Sequence, residues 1–186
     1  MATTTTGPIT FAEFEQMPEP RDGQRLELRH GEPIKVPPAK YIHFMIQQVL
    51  RDLLDKAAAG TGRAYTEVGF RPTPEHEFRI ADVAYAAKDR WVLPAGQEHL
   101  LGAPDVVVEV LSASNTAAEV EKEQLCLANG CREFWVVDPD LRIVKVMTPD
   151  DRSVTYHPGQ QIPLPLLNGA RISVDAIFAP IAEPRP

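Results

Sequence analysis

The chain has 186 residues, of which 26 are acidic and 19 basic, so its formal net charge is −7. This length suits one domain with a sizeable core, and a content of 44% hydrophobic and 24% charged residues excludes the disordered class. The acidic balance argues against a protein that coats nucleic acid by charge alone, but it allows a local basic cleft or acids grouped around a metal.

The apolar periodicity changes several times along the chain and predicts a mixed α/β fold. Apolar spacings of three and four indicate helices, whereas alternating or short continuous apolar runs indicate strands. In chain order, these patterns predict a helix from Thr10 to Pro18, strands over 26–28 and 33–36, a helix over 41–59, strands over 64–70, 79–85 and 105–111, a helix over 115–129, and strands over 133–137 and 143–146. Several prolines in the last thirty residues predict an irregular C-terminal part.

The chain shows neither an internal repeat nor a linker that would divide it. A threonine-rich stretch closed by Gly7 and Pro8 precedes the first predicted helix. We therefore expect a flexible tail over residues 1–9 and a single domain over residues 10–186.

Two acids interrupt strands that are otherwise apolar. Glu109 lies inside the run 106–111, where both strand faces should be buried and a lone carboxylate is costly. Asp82 repeats this pattern in the preceding strand, within 80–84. A buried acid paired with Arg or Lys would explain one such residue. Two acids on neighbouring strands can instead converge on one point, which is what a hard cation such as Mg²⁺ requires.

The other titratable residues carry weaker signals. Lys122 follows the Glu109 strand on the next predicted helix, and its position alone is typical of a solvated lysine paired with Glu119 or Glu121. The five histidines show no metal-ligand spacing, such as two histidines four residues apart on a helix.

Four stretches of the sequence belong to one recognisable pattern: ELRHGE at 27–32, IADV at 80–83, GAPDVVVEVLS at 102–112, and Lys122 followed by EFWVVDP at 133–139. Together they resemble the Uma-two family of restriction endonucleases. The resemblance implies a PD-(D/E)XK nuclease fold, in which a restriction-endonuclease-like mixed β-sheet is flanked by helices. It also implies a divalent metal, Mg²⁺ or Mn²⁺, at the carboxylate pair.

The resemblance also implies roles for individual residues. Asp82 and Glu109 match the catalytic metal ligands of the family. The superfamily places a catalytic lysine two residues after the glutamate, where this chain has Leu111, and Lys122 on the following helix matches the lysine in its migrated position. Such a migration is chemically acceptable because the long lysine stem can bring its ammonium to the site from a neighbouring element. Glu27 matches an early acid that supports the site or holds a second metal through water.

Further positions match the family less closely. His43 lies where the family often has histidine, so it is either a contact to phosphate or to a metal ligand, or a solvated helix residue. Ala81 and Ala113 stand where proline is usual, and Cys126 stands where tyrosine is usual. None of these departures removes a predicted ligand, although Cys126 lies one helical turn from Lys122.

Two functions follow as alternatives. The first is a metal-dependent endonuclease that hydrolyses phosphodiester bonds of nucleic acid, with DNA as the expected partner. The second is a catalytically inactive protein of the same fold that acts as a nucleic-acid-binding or assembly module, which the acidic charge and the altered residues favour. The retention of both core carboxylates and of Lys122 favours catalysis, because a scaffold gains nothing from acids that are costly to bury.

A homodimer is expected because nucleases of this superfamily often cut two strands with two subunits.

The sequence also bears on the cell compartment. No stretch approaches the run of about 20 apolar residues that spans a bilayer, and the N-terminus lacks the basic start and apolar core of a secretory signal. We therefore expect a cytoplasmic protein with no membrane partner.

Cys126 and Cys131 are too few for a disulfide scaffold or a four-thiolate zinc site, and we expect reduced, structural thiols.

Overall fold

The computed structural model describes residues 7–20, 23–112 and 116–182. Residues 1–6 of the predicted tail and the predicted helix start at Asn115 lie outside these ranges. The helices are α1 (Phe11–Phe14), α2 (Tyr41–Ala58), α3 (Thr116–Ala128) and α4 (Val174–Ala182), and the strands are β1 (Arg25–Arg29), β2 (Glu32–Val36), β3 (Gly62–Arg71), β4 (Arg79–Ala87), β5 (Leu100–Leu101), β6 (Val106–Val110), β7 (Glu133–Asp138), β8 (Ile143–Met147), β9 (Ser153–Tyr156), β10 (Gln161–Leu164) and β11 (Ala170–Ser173).

Seven strands form one mixed sheet in the order β5-β3-β4-β6-β7-β8-β9. Strand β6 is parallel to β7 and β3 is parallel to β5, whereas the other neighbours are antiparallel. Helices α2 and α4 cover one face of this sheet and α3 covers the other. The predicted α/β fold, with a mixed sheet flanked by helices, is confirmed.

Local sequence explains several of these elements. All five residues of β6 are buried, because Val108 packs under α2 while Val107 packs under α3. The strand is therefore continuously apolar apart from Glu109. The turn between β1 and β2 uses His30 and Gly31, both at positive φ, which is the two-residue hairpin turn that matches strand twist.

The prediction of an irregular C-terminal part is wrong. Strand β9 forms one edge of the large sheet, and β10 and β11 pair as a separate hairpin that leads into α4. The hairpin buries Ile162, Leu164 and Ile172 in the core under α2. Pro163 lies in this hairpin, and a two-stranded sheet tolerates a missing N–H because each strand has an unpaired edge. A high proline count therefore did not exclude strands.

Two further expectations concern the thiols and the membrane. Cys126 and Cys131 are free and buried, as expected. Burial raises the pKa of Cys126 well above its usual value and that of Cys131 to about 12, so both stay protonated at neutral pH. None of the helices in the described ranges has both the length and the apolar character needed to cross a bilayer.

Glu133, at the start of β7, provides a stability prediction. Its side chain is buried and accepts a hydrogen bond from the Trp135 indole Nε1 at 3.0 Å. Burial raises the pKa of Glu133 because the ionised form is poorly solvated. Glu133 therefore lowers the stability of the folded state as the pH rises from its pKa in the unfolded chain through its raised pKa in the folded protein. Glu133→Gln removes the charge and keeps an acceptor for Trp135, so we expect it to raise the free energy of unfolding at pH 8 by about 0.5–2 kcal/mol.

Urea unfolding of both proteins at pH 4, 6 and 8 checks this expectation. The gain should shrink toward pH 4, where the wild-type carboxyl is protonated in both states. Glu98→Gln, at an exposed glutamate, is the control and should show no comparable gain. An equal gain at all three pH values would show that the charge of Glu133 is not the cause.

Candidate functional site

The two acid-bearing strands part at Asp82 and Glu109. Strands β4 and β6 are paired as far as Val83 and Val108, which makes Asp82 and Glu109 the next facing residues. Here main-chain pairing gives way to a side-chain contact, because the N–H of Val110 donates to Asp82 Oδ2 at 2.7 Å. The sheet therefore opens where both predicted metal ligands lie.

Helix α2 supplies two contacts to Asp82. His43 Nε2 lies 2.9 Å from Asp82 Oδ2, and Gln47 Nε2 donates to Oδ1 at 2.9 Å. His43 and Gln47 are one helical turn apart, so they reach the same carboxylate. The ring of His43 and the N–H of Val110 together occupy Oδ2. Oδ1 accepts one bond from Gln47 and keeps a second lone pair for another partner.

Lys122 reaches the sheet from α3 on the opposite face. Its Nζ lies 2.7 Å from Glu109 Oε1 and 3.5 Å from Glu27 Oε1, and it donates to the Ile80 carbonyl oxygen at 2.6 Å. Only 7% of the Lys122 side chain is exposed. The interpretation of Lys122 as a solvated helix lysine is therefore wrong, and the structure brings Glu27, Glu109 and Lys122 together.

Glu27 comes to this cluster from the β1–β2 hairpin. It is 2% exposed, and its Oε1 accepts from the Ile80 N–H at 2.9 Å while its Oε2 accepts from Arg29. Burial alone raises the pKa of Glu27, but the Lys122 charge, the Ile80 N–H and Arg29 together bring the pKa below its usual value. Glu27 is therefore ionised at neutral pH and compensates the buried ammonium of Lys122.

A buried arginine joins β4 to α3 beside Lys122. Arg79 is fully buried, and it donates to Glu77 Oε2 at 2.8 Å and to Glu121 Oε1 at 2.7 Å. The hydrogen bond from Arg79 is the largest reason why the pKa of Glu121 lies below its usual value. Because Glu121 precedes Lys122, this ion pair holds the turn of α3 from which Lys122 reaches Glu109.

The sequence patterns did not identify Gln47 or Arg79 as residues of this site. Gln47 lies in the buried stripe of α2 beside Ile46 and Leu50, and a polar residue in such a stripe is a usable signal because buried polar groups need partners. Arg79 stands at the boundary between a loop and a strand, where an arginine is ordinary. Only the tertiary contacts identify it.

The chemistry of Asp82 and Glu109 fits a partial site for a divalent cation, although Asp82 is contacted from α2 and Glu109 from α3 on the opposite face of the sheet. Among the residues that the structure describes, no three His, Cys, Asp or Glu side chains form a complete cation cage. Mg²⁺ does not need one, since it is usually held by one or two carboxylates together with water and substrate phosphates. Asp82 and Glu109 supply the oxygen chemistry for this kind of site, and Asp82 Oδ1 has a lone pair to offer.

Comparisons with known proteins agree with this architecture. The Uma2 family model, described as "Putative restriction endonuclease", matches residues 11–175. The fold is similar to the crystal structure of "a putative nuclease belonging to DUF820" from Anabaena variabilis, with a TM-score of 0.78 and 23% sequence identity over 92% of this chain and 98% of that chain. At this identity the likeness shows the shared fold. No curated protein matches the chain.

Proposed function

Because the chain belongs to the Uma2 family of restriction-endonuclease-like nucleases, we propose that it is a metal-dependent endonuclease that hydrolyses phosphodiester bonds of DNA. The observation that carries this proposal is the buried contact of 2.7 Å between Lys122 and Glu109. Leu111 occupies the usual lysine position, yet an ammonium still reaches the carboxylate from another element. A module without catalysis has no need of this costly burial.

Each residue of the site has a role in the proposed reaction. Asp82 and Glu109 would hold Mg²⁺ or Mn²⁺, which when bound lowers the pKa of water and neutralises phosphate charge. Lys122 orients the attacking water or stabilises the negative charge that builds up on the phosphate in the transition state. Glu27 balances the charge of Lys122 between turnovers, and His43 restrains the Asp82 carboxylate.

A titration and a cleavage assay test this proposal together. Calorimetric titration with Mn²⁺ should detect binding to the wild type and its loss in the Asp82→Ala, Glu109→Ala double variant. Asp52→Ala is the matched control, since Asp52 is an exposed acid on α2. Equal binding by the wild type and the double variant would refute the metal site.

The cleavage assay uses supercoiled, linear and single-stranded DNA, with RNA in parallel, in Mg²⁺ or Mn²⁺. We expect DNA cleavage by the wild type and none by Glu109→Ala. A wild type that binds Mn²⁺ but cleaves none of these substrates would favour the inactive binding or assembly module. Sedimentation of the same sample tests the homodimer that belongs to this proposal, because cutting both strands of a duplex calls for two such sites.

A further inference from the structure

Glu67, in the middle of β3, has a left-handed backbone. Its φ is +57°, a conformation that strains a residue with a side chain and is uncommon inside a strand. Glu67 faces Asp82 at the step where the main-chain pairing of β3 with β4 is interrupted. Strain of this kind persists only where the surrounding structure maintains it, and it is often found beside functional groups.

This backbone conformation changes the face of the sheet to which the following side chains of β3 point. Ala64 packs in the core under α2, whereas Val68 packs in the core under α3, although residues four apart in a regular strand share one face. The reversal lies between them and carries the Glu67 carboxylate to the α2 side, where its Oε1 accepts from Gln47 Nε2 at 2.5 Å.

Gln47 links Glu67 to Asp82. It is fully buried, and its Nε2 donates to Glu67 Oε1 and to Asp82 Oδ1. Its Oε1 is also buried and has no hydrogen-bond partner among the described residues. A primary amide has two N–H donors on one side and an oxygen on the other. Two carboxylates on the nitrogen side therefore determine which way this amide points.

The other carboxylate oxygen of Glu67 is paired with Arg25. Both side chains are about one-third exposed, so the pair lies at the margin of the site. This contact holds Glu67 from the hairpin that also carries Glu27. Glu67 is thus restrained on both sides, by Arg25 and by Gln47, and it has little freedom to turn away from Asp82.

We propose that Glu67 is a positioning residue for Asp82. Through Gln47 it fixes the Asp82 carboxylate so that one lone pair of Oδ1 stays available, and the strained backbone is kept because it aims the Glu67 carboxylate at Gln47. This inference rests on the proposed function, since the lone pair matters only if Asp82 binds a cation.

Three variants separate this role from a structural one. Glu67→Gly relieves the strain at positive φ and removes the acceptor for Gln47. We expect it to unfold at the wild-type temperature or above, yet to bind Mn²⁺ about 10–100-fold more weakly. Glu67→Gln keeps an oxygen acceptor and should recover most of the affinity. The Glu67→Gly, Gln47→Leu double variant should bind no more weakly than Gln47→Leu, because both changes break one chain of contacts.

A measurement without metal makes the test independent of the proposed function. The side-chain amide signals of Gln47 in a ¹⁵N–¹H spectrum, assigned by their loss in Gln47→Leu, should shift in Glu67→Gly and return toward the wild type in Glu67→Gln. A wild type that binds no Mn²⁺ would refute the proposed function. The amide signals of Gln47 would then still show whether Glu67 orients Gln47.

Three outcomes overturn the proposal. The first is unchanged amide signals in Glu67→Gly. The second is unchanged Mn²⁺ affinity in Glu67→Gly when the wild type binds the ion. The third is a Glu67→Gly protein that unfolds well below the wild-type temperature, because Glu67 would then stabilise the fold and would not be needed to position Asp82.

Discussion

Lys122→Met should lower the rate of DNA cleavage about 100- to 1000-fold, the usual effect of removing one donor that stabilises transition-state charge. Methionine keeps much of the apolar stem and fills the same space, but it cannot compensate the charge of Glu109 or of the phosphate. Single-turnover cleavage rates, together with a Mn²⁺ titration, measure the effect. Lys145→Met is the matched control, because Lys145 is an exposed lysine on β8 and lies in the same sheet.

The same variant allows a test of the migrated lysine. Leu111 lies two residues after Glu109, at the position where the superfamily has its lysine. We expect the Leu111→Lys, Lys122→Met double variant to cleave DNA faster than Lys122→Met. The chemistry needs an ammonium near the phosphate, and the strand or the helix can supply it. A folded double variant with no gain in rate would contradict this interchangeability. Cleavage by Lys122→Met at the wild-type rate would remove Lys122 from the mechanism.

Arg79→Met should have the largest effect on stability, a loss of about 3–5 kcal/mol in the free energy of unfolding. The substitution leaves Glu77, which is 5% exposed, without its buried cation. Glu121→Gln breaks the other half of the network, but its side chain is 43% exposed. Solvent screens that pair, so we expect a loss of only about 1 kcal/mol or less. Urea unfolding at pH 7 compares the two variants with the wild type.

The difference in the free energy of unfolding between the wild type and Arg79→Met should depend on pH with a definite sign. The pKa of Glu121 is lowered, chiefly by the hydrogen bond from Arg79. A lowered pKa adds stability that is present above the usual glutamate value and is lost as the pH falls through the lowered value. The difference between the wild type and Arg79→Met should therefore be smaller at pH 3 than at pH 7. An equal difference at both pH values would show that lost packing, and not lost charge pairing, is responsible.

Local sequence patterns were enough to predict the parts of this protein that depend on neighbours along the chain. The bounds of α2 follow from apolar spacings of three and four, and the central place of β6 follows from its continuous apolar run. The same run makes Glu109 conspicuous, because a carboxylate inside a buried apolar strand is costly to desolvate. Asp82 is conspicuous for the same reason, and these local patterns were sufficient for the fold class.

The assembly of the site, in contrast, depends on contacts between elements that are far apart in the sequence. The C-terminal strands, for instance, depend on which edges are available for pairing, and a proline count does not reveal that. The contact of Gln47 with Asp82 spans 35 residues of sequence, and that of Lys122 with Ile80 spans 42. The buried state of Lys122 and the left-handed backbone of Glu67 likewise follow from the packing of α3 and from strand register. Such features depend on distances between elements, which local periodicity does not encode because it reports only which face of each element is buried.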